Sequence, residues 1–292
     1  MKTLGFVTCR DYPDFQKDEQ LLLPALEALG IQAKPVLWEN AASGLTDLQD
    51  IDLLVFRSCW NYHYHTAAFE AWLNQLEARS IRVLNPVSLV RWNLDKRYLR
   101  ELEQAGVAIV PTVFTEAGDH DWIEKALAQD WPELVIKPIV SAWGANTFRV
   151  KRHELPEYLE KMAPQAQTTG LMLQPFVSEI AQGEISLVFY RSPQAISFSH
   201  AFVKTPAEGA FLSHEEFGAR WGRFEATPAM RAAAEKALQA MPGEWLYARV
   251  DGVRGAGEFQ LMELEVFEPS LYLAVDPDAP ERFARVLNTY LV

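Results

Sequence analysis

The apolar positions follow different periods in different parts of the chain. Over residues 1 to about 85, short apolar runs at 4–9, 31–38, 51–56 and 81–84 alternate with helical spacing at 18–29 and 66–78. Gly30 stops the first helix. Such alternation predicts βαβ units, hence a parallel sheet covered by helices. Asn85-Pro86 then starts a helix, with Asn85 as cap, that runs R-W-N-L-D-K-R-Y-L-R-E-L-E-Q-A to Gly106. Beyond it the strand signals at 107–111, 134–138, 147–151, 171–177, 184–190 and 195–203 carry few intervening helices, the exception being one near 122–128. Residues 207–227 read as a long loop, of the kind that forms a lid or is disordered. Helices follow at 227–240 and 280–290.

Between those helices, residues 245–269 read as a β-hairpin about a turn holding Gly252, Gly255 and Gly257. Leu246, Ala248 and Val250 share one face of its first strand, and Met262, Leu264 and Val266 one face of the second. Matching the apolar faces brings Asp251, Glu263 and Glu265 together. Like charges so placed raise one another's pKa unless a cation offsets them. An all-oxygen set suits Mg²⁺, which also keeps waters and substrate phosphates. The plainer reading is a solvated acidic face on an edge hairpin.

The chain has 292 residues, 49% hydrophobic and 23% charged, enough for a sizeable core in two or three lobes. No apolar run is long enough to span a membrane. The residues before Cys9 are too few for a signal peptide. Two cysteines, Cys9 and Cys59, cannot build a disulfide framework; they read as small buried hydrophobes in a reduced, cytoplasmic protein. A net charge of −12 argues against general nucleic-acid binding, though a locally basic cleft can still hold an anion.

Candidate chemistry lies where the parallel strands end. There Arg57 and Ser58 lead into Cys59-Trp60-Asn61-Tyr62, and Arg57 offers a planar fork for a carboxylate, with a structural ion pair as the alternative. His63 and His65 are two imidazoles in a loop and read as surface polarity rather than a metal site. Lys137 is embedded in an apolar strand, where an unpaired ammonium is costly, so it should meet an anion. The loop that follows, with Ser141, Trp143 and Gly144, has the outline of a phosphate-covering hairpin loop. Neither a Walker A loop nor a dinucleotide G-x-G-x-x-G is present.

The order of these features resembles the ATP-grasp ligase superfamily from about Asn85 to the C-terminus, preceded by a lobe similar to that family's N-terminal domain. The segments F-R-S-C-W-N-Y, N-P…R-W-N-L-D-K-R-Y-L and E-L-E-V-F-E-P-S-L resemble its cycloserine cyclo-ligase branch, with glutathione synthetases more distant. The resemblance implies an N-terminal Rossmann-like parallel α/β lobe and a two-lobed domain with antiparallel sheets (α/β, α+β). It sets segments at 1–85 (substrate side), 86–106 (linking helix), 107–178 (small lobe) and 179–292 (C-terminal lobe with the metal hairpin). It also implies ATP held by Lys96 and Lys137, with Ser141, Trp143 and Gly144 as the phosphate flap. Gln174, Phe176 and Val177 would read the adenine; Glu184, or its rival Glu179, would take the ribose. Lys204 would reach phosphate oxygens. Arg249 would steady the reacting carboxylate. Asp251, Glu263 and Glu265 would hold Mg²⁺, two ions on this reading with Mn²⁺ as an alternative. The third position departs from the asparagine common in the family. Arg57, Ser58, Arg220 and Arg223 are the candidates for the substrate carboxylate. The implied activity is carboxylate–amine ligation through an acyl phosphate on a small amino-acid-like substrate, by a monomer or homodimer with neither nucleic-acid nor membrane partners. A kinase on the same scaffold and a non-catalytic nucleotide-binding protein are the alternatives.

Overall fold

The computed structural model describes residues 2–44, 46–142, 144–255 and 257–291. Strands β1 (Lys2–Thr8), β2 (Ile31–Leu37), β3 (Leu53–Ser58) and β4 (Val83–Leu84) form a parallel sheet in the order β2-β1-β3-β4. Every residue of β3 is buried, as the continuous apolar run requires of a strand covered on both faces. Helices α1 (Lys17–Ala28), α2 (Trp38–Ala42) and α3 (Thr66–Ala78) connect these strands. The short α2 replaces the end of an expected strand; Trp38 turns inward there and meets the edge of Phe69 at 5.2 Å. Cys9 and Cys59 are both free and buried.

The single helix expected from 85 to 106 is two helices, α4 (Val87–Leu94) and α5 (Tyr98–Gln104). Asp95 is extended, at φ −99° and ψ 110°, and its carboxylate accepts from Arg97 N at 2.9 Å and Arg97 Nη1 at 2.7 Å. An aspartate that binds backbone locally competes with the helix, and here it wins. Lys96 therefore sits in the break, its N–H donating to Ile139 O at 3.2 Å. Asn85 is not a cap either, since Pro86 occupies that place. Fully buried, it donates to Tyr247 O at 2.8 Å and to Val266 O, and accepts from Leu246 N, tying the linker to the C-terminal hairpin.

Strands β5 (Val113–Phe114), β6 (Glu133–Pro138), β7 (Phe148–Lys151) and β8 (Leu171–Pro175) form an antiparallel sheet ordered β5-β8-β6-β7. On one face Leu134, Ile136, Val150 and Leu173 pack under α6 (Trp122–Leu127) and α7 (Leu159–Thr168). Helix α7 has no counterpart in the sequence reading: it buries only Met162 and Ala166 and contains Pro164. The alternation that sends Leu134 and Ile136 into this core leaves Val135 and Lys137 on the opposite, open face.

Strands β9 (Glu184–Arg191), β10 (Ile196–Thr205), β11 (Arg220–Arg223), β12 (Tyr247–Gly255) and β13 (Glu258–Glu265) make a second antiparallel sheet, ordered β11-β10-β9-β12-β13. Strand β11 falls inside the expected loop; four residues with Gly222 at the third place show no alternation to read. Helix α8 (Pro228–Ala240) starts at Thr227, whose hydroxyl accepts from Met230 N at 3.3 Å. Helix α9 (Ala279–Thr289) packs Phe283 flat on Tyr190, ring centroids 4.7 Å apart. Among the described residues no helix is long and apolar enough to cross a membrane.

Candidate active site

A cavity of about 430 Å³ opens where the three sheets face one another. Its floor is the β12–β13 hairpin. The register places Arg249 opposite Glu265, Val250 opposite Leu264 and Asp251 opposite Glu263, so alternation brings the four charged side chains to one face. After Asp251 the register shifts by one residue. Gly252 makes that bulge possible: a Cβ there would lie 2.4 Å from Gln260 O and 2.6 Å from the Phe259 ring.

The charges on this face are interlocked. Arg249 donates from Nη2 to Asp251 Oδ2 at 2.8 Å, from Nη1 to Ser270 O at 2.8 Å, and to Glu265. Lys204 pairs with Glu184 at 2.9 Å and lies 3.7 Å from Asp251, while Lys96, delivered by the helix break, pairs with Glu263. Burial alone would raise the pKa of Asp251, but Arg249 and Lys204 overcome it and hold the carboxyl well below its usual range. Burial acts the same way on Glu263, and Lys96 with Lys137 brings it down to about 2. At Glu265 burial wins: Arg249 opposes it, Asp251 and Glu263 reinforce it, and the pKa is pushed up to about 7.

These three carboxylates suit a hard divalent cation in donor type, and the crowding felt by Glu265 is what such a cation relieves. They do not form a ready-made cage. Glu263 and Glu265 line the cavity, whereas Asp251 lies beneath it at 1% exposure. Among the described residues no cluster of three His, Cys, Asp or Glu side chains is close enough to hold a metal by itself. Lysine and arginine side chains hold the acids here instead.

On the side of the β5–β8 sheet, Lys137, Ser141, Gly144, Gln174, Phe176 and Val177 line the cavity, and Glu184 of β9 joins them. Lys137 makes no ion pair among the described residues, and burial, opposed by Glu263 and reinforced by Lys96, lowers its pKa. Gln174 is fixed by donating to Thr112 Oγ1 at 2.9 Å, and Phe176 lies under the Arg149 guanidinium, 3.6 Å from the ring centre. The Phe176 N–H is engaged by Glu133 O at 2.9 Å. Glu184 is in the wall; its rival Glu179 is not, and bonds Ser178 at 3.2 Å outside it. Trp143 lies outside the described residues.

Residues 211–216 roof the cavity, and Leu212 sits where a Cβ on Gly144 would be only 3.2 Å away, so this segment meets the 141–146 loop above the floor. Burial, then Lys204, keeps the His214 imidazole below its usual pKa.

The N-terminal sheet supplies the remaining wall. Arg57 is 2% exposed, ion-paired to Glu19 at 2.8 Å and Asp18 at 3.8 Å, yet it lines the cavity and its Nη1 has no partner. One edge of Arg57 is committed to a structural ion pair, and its Nη1 is buried in the cavity wall. The other substrate candidates are displaced. Ser58 is buried away from the cavity at 1% exposure, because alternation along β3 turns it from the face Arg57 takes. Arg220 and Arg223 are exposed on β11, an edge strand, and Trp221 between them lines the cavity. Glu268 was not among the site candidates read from the sequence, and neither were Tyr12, Trp60, Tyr62 and His214. Glu268 lines the cavity, and burial, reinforced by Glu265, pushes its pKa up to about 8. Its signal was its place in E-P-S directly after the acidic strand.

The family model described as "D-cycloserine synthetase DcsG, N-terminal domain" matches residues 4–85. Over 98% of both chains, the sequence is 30% identical to the cycloserine biosynthesis protein DcsG of Streptomyces lavendulae. The crystal structure of D-cycloserine synthetase DcsG matches with a TM-score of 0.87 at 29% identity, covering 99% of this chain and 100% of that one. A RimK domain protein ATP-grasp from Sphaerobacter thermophilus matches in fold, with a TM-score of 0.70 at 16% identity over 97% of this chain and 98% of that one.

Proposed function

The chain belongs to the DcsG family of ATP-grasp enzymes, ATP-dependent ligases that form carbon–nitrogen bonds, and on that premise we propose that it activates a small amino-acid-like carboxylate as an acyl phosphate. A carboxylate is a poor electrophile. Its oxygen attacks the γ-phosphorus of ATP and ADP leaves; an amine then adds to the carbonyl carbon, phosphate departs, and the amide remains. The observation that carries the reading is the convergence of Lys96, Lys137, Lys204 and Arg249 around one cavity, with Lys137 facing it unpaired among the described residues.

Positioning and charge neutralisation dominate phosphoryl transfer. On this reading Lys137 and Lys96 grip the phosphates, Glu184 takes the ribose, and Gln174 with the Val177 N–H reads the base. Arg249, braced by Asp251, Glu265 and Ser270 O, presents a fixed positive charge to the oxyanion formed as the amine adds. Asp251, Glu263 and Glu265 would hold Mg²⁺, two ions or Mn²⁺ in their place, which when bound neutralises phosphate charge. Arg57, in the cavity wall, is the candidate for the substrate carboxylate. The roof at 211–216 excludes water from the acyl phosphate. The segments 1–85, 86–106, 107–178 and 179–292 are the working divisions of this reading.

The test is ATP, Mg²⁺ and hydroxylamine with a panel of amino acids. Hydroxamate and phosphate are expected together. No hydroxamate and no phosphate with any acid rejects the proposal, and a stable phosphorylated product by phosphorus NMR assigns a kinase instead.

A further inference from the structure

The half-buried carboxylates of the cavity wall are matched to cations almost one by one. Glu19 and Asp18 meet Arg57, Glu184 meets Lys204, Glu263 meets Lys96 and Glu265 meets Arg249. Glu268 is the exception: it lines the cavity, and among the described residues it forms no ion pair with lysine, arginine or histidine. Its main chain is fixed, since its carbonyl accepts from Trp60 Nε1 at 2.8 Å. Tyr62, which hydrogen-bonds the Glu268 carboxyl, is itself wedged against Phe267 and Phe69, ring centroids 5.1 and 5.4 Å away. Lys96 acts on this group without pairing with it, and burial outweighs that, so the charged form of Glu268 lacks the close cation that would offset its desolvation.

The surroundings say what would compensate it. Tyr12 meets Trp60 edge to face at 4.9 Å, and Tyr12, Trp60 and Tyr62 all line the cavity with Glu268. Aromatic faces beside a carboxylate form the complement of a small organic cation. We propose that Glu268 recognises the positively charged amino group of the substrate, and so makes the site select an amino acid over the corresponding simple acid.

This inference rests on the ligase reading, so its test has an arm independent of turnover. Isothermal titration calorimetry on protein loaded with ADP and Mg²⁺ compares D- and L-alanine with propionate, and D- and L-serine with 3-hydroxypropionate. The hydroxamate assay runs on the same pairs. Wild-type protein is expected to favour an amino member by about tenfold to a hundredfold, the range of a charge-assisted hydrogen bond. Glu268→Gln loses that preference through Kd and KM, with the KM for ATP and the circular dichroism spectrum unchanged, and Glu268→Asp keeps part of it. A Gln variant that retains the preference overturns the proposal. So does a wild type that binds the deaminated acids equally well, or binds neither member, or a variant that loses kcat alone. Glu268-dependent binding without hydroxamate formation would leave this inference standing and remove the ligase reading.

Discussion

Replacing Lys137 with methionine should move stability and nucleotide binding in opposite directions. The ammonium sits half-buried on the open face of β6 with no carboxylate partner among the described residues, and burial is the largest influence on its pKa, which falls. A base whose pKa is lower in the folded state binds fewer protons there. Its charged form therefore opposes folding at all pH values below that folded pKa, and the penalty lifts only as pH rises toward the ordinary lysine range. Lys137→Met keeps the chain length and removes the charge. Its attraction to Glu263 is lost as well, but the net direction of the pKa says that burial outweighs it. Polar groups buried without a partner cost about 1–3 kcal/mol. For a half-buried one, a gain of about 1 kcal/mol is reasonable, or roughly 2–4 °C in melting temperature. Toward ATP the sign reverses: losing a charge-assisted contact to phosphate costs about 1.5–3 kcal/mol, or roughly tenfold to a hundredfold in KM. Differential scanning fluorimetry without nucleotide and an ATP titration of phosphate release read both effects. A variant that melts lower than wild type without nucleotide, or that keeps the wild-type KM for ATP, refutes the reasoning.

Glu263→Gln is expected to abolish turnover with folding intact, seen as an unchanged circular dichroism spectrum; wild-type phosphate release in that variant removes Glu263 from the metal set. Gly252→Ala forces a Cβ onto Gln260 O and the Phe259 ring, and should cost about 1–3 kcal/mol in urea denaturation while displacing Asp251. Glu268 has a folded pKa of about 8 against an ordinary 4.5, so the stability it confers is present at low pH and lost as pH rises through 8. The melting temperature of the ligand-free protein should therefore decline between about pH 5 and pH 8, and Glu268→Gln should flatten that decline.

The sequence by itself determined what depends on local period. The buried run of β3, the alternation of the β12–β13 hairpin and the charged residue inside β6 were each legible, because side-chain direction in a strand follows from counting. Once the apolar faces of the hairpin were matched, the meeting of Asp251, Glu263, Glu265 and Arg249 on one face followed as well. What sequence could not show was decided by contacts across long separations. Only the packed chain sets Lys96 against Glu263, 167 residues away, and it does so through a helix break that Asp95 makes against the periodic pattern. Only the packed chain buries Asn85 between Leu246 and Val266 rather than leaving it as a cap. The same holds for the arginines: Arg57 is tied to Glu19 and Asp18 of α1 in the cavity wall, while Arg220 and Arg223 fall on an exposed strand edge. Period fixes which way a side chain points relative to its own strand; which charges meet, and which is left without a partner, is set by how the sheets close around the cavity.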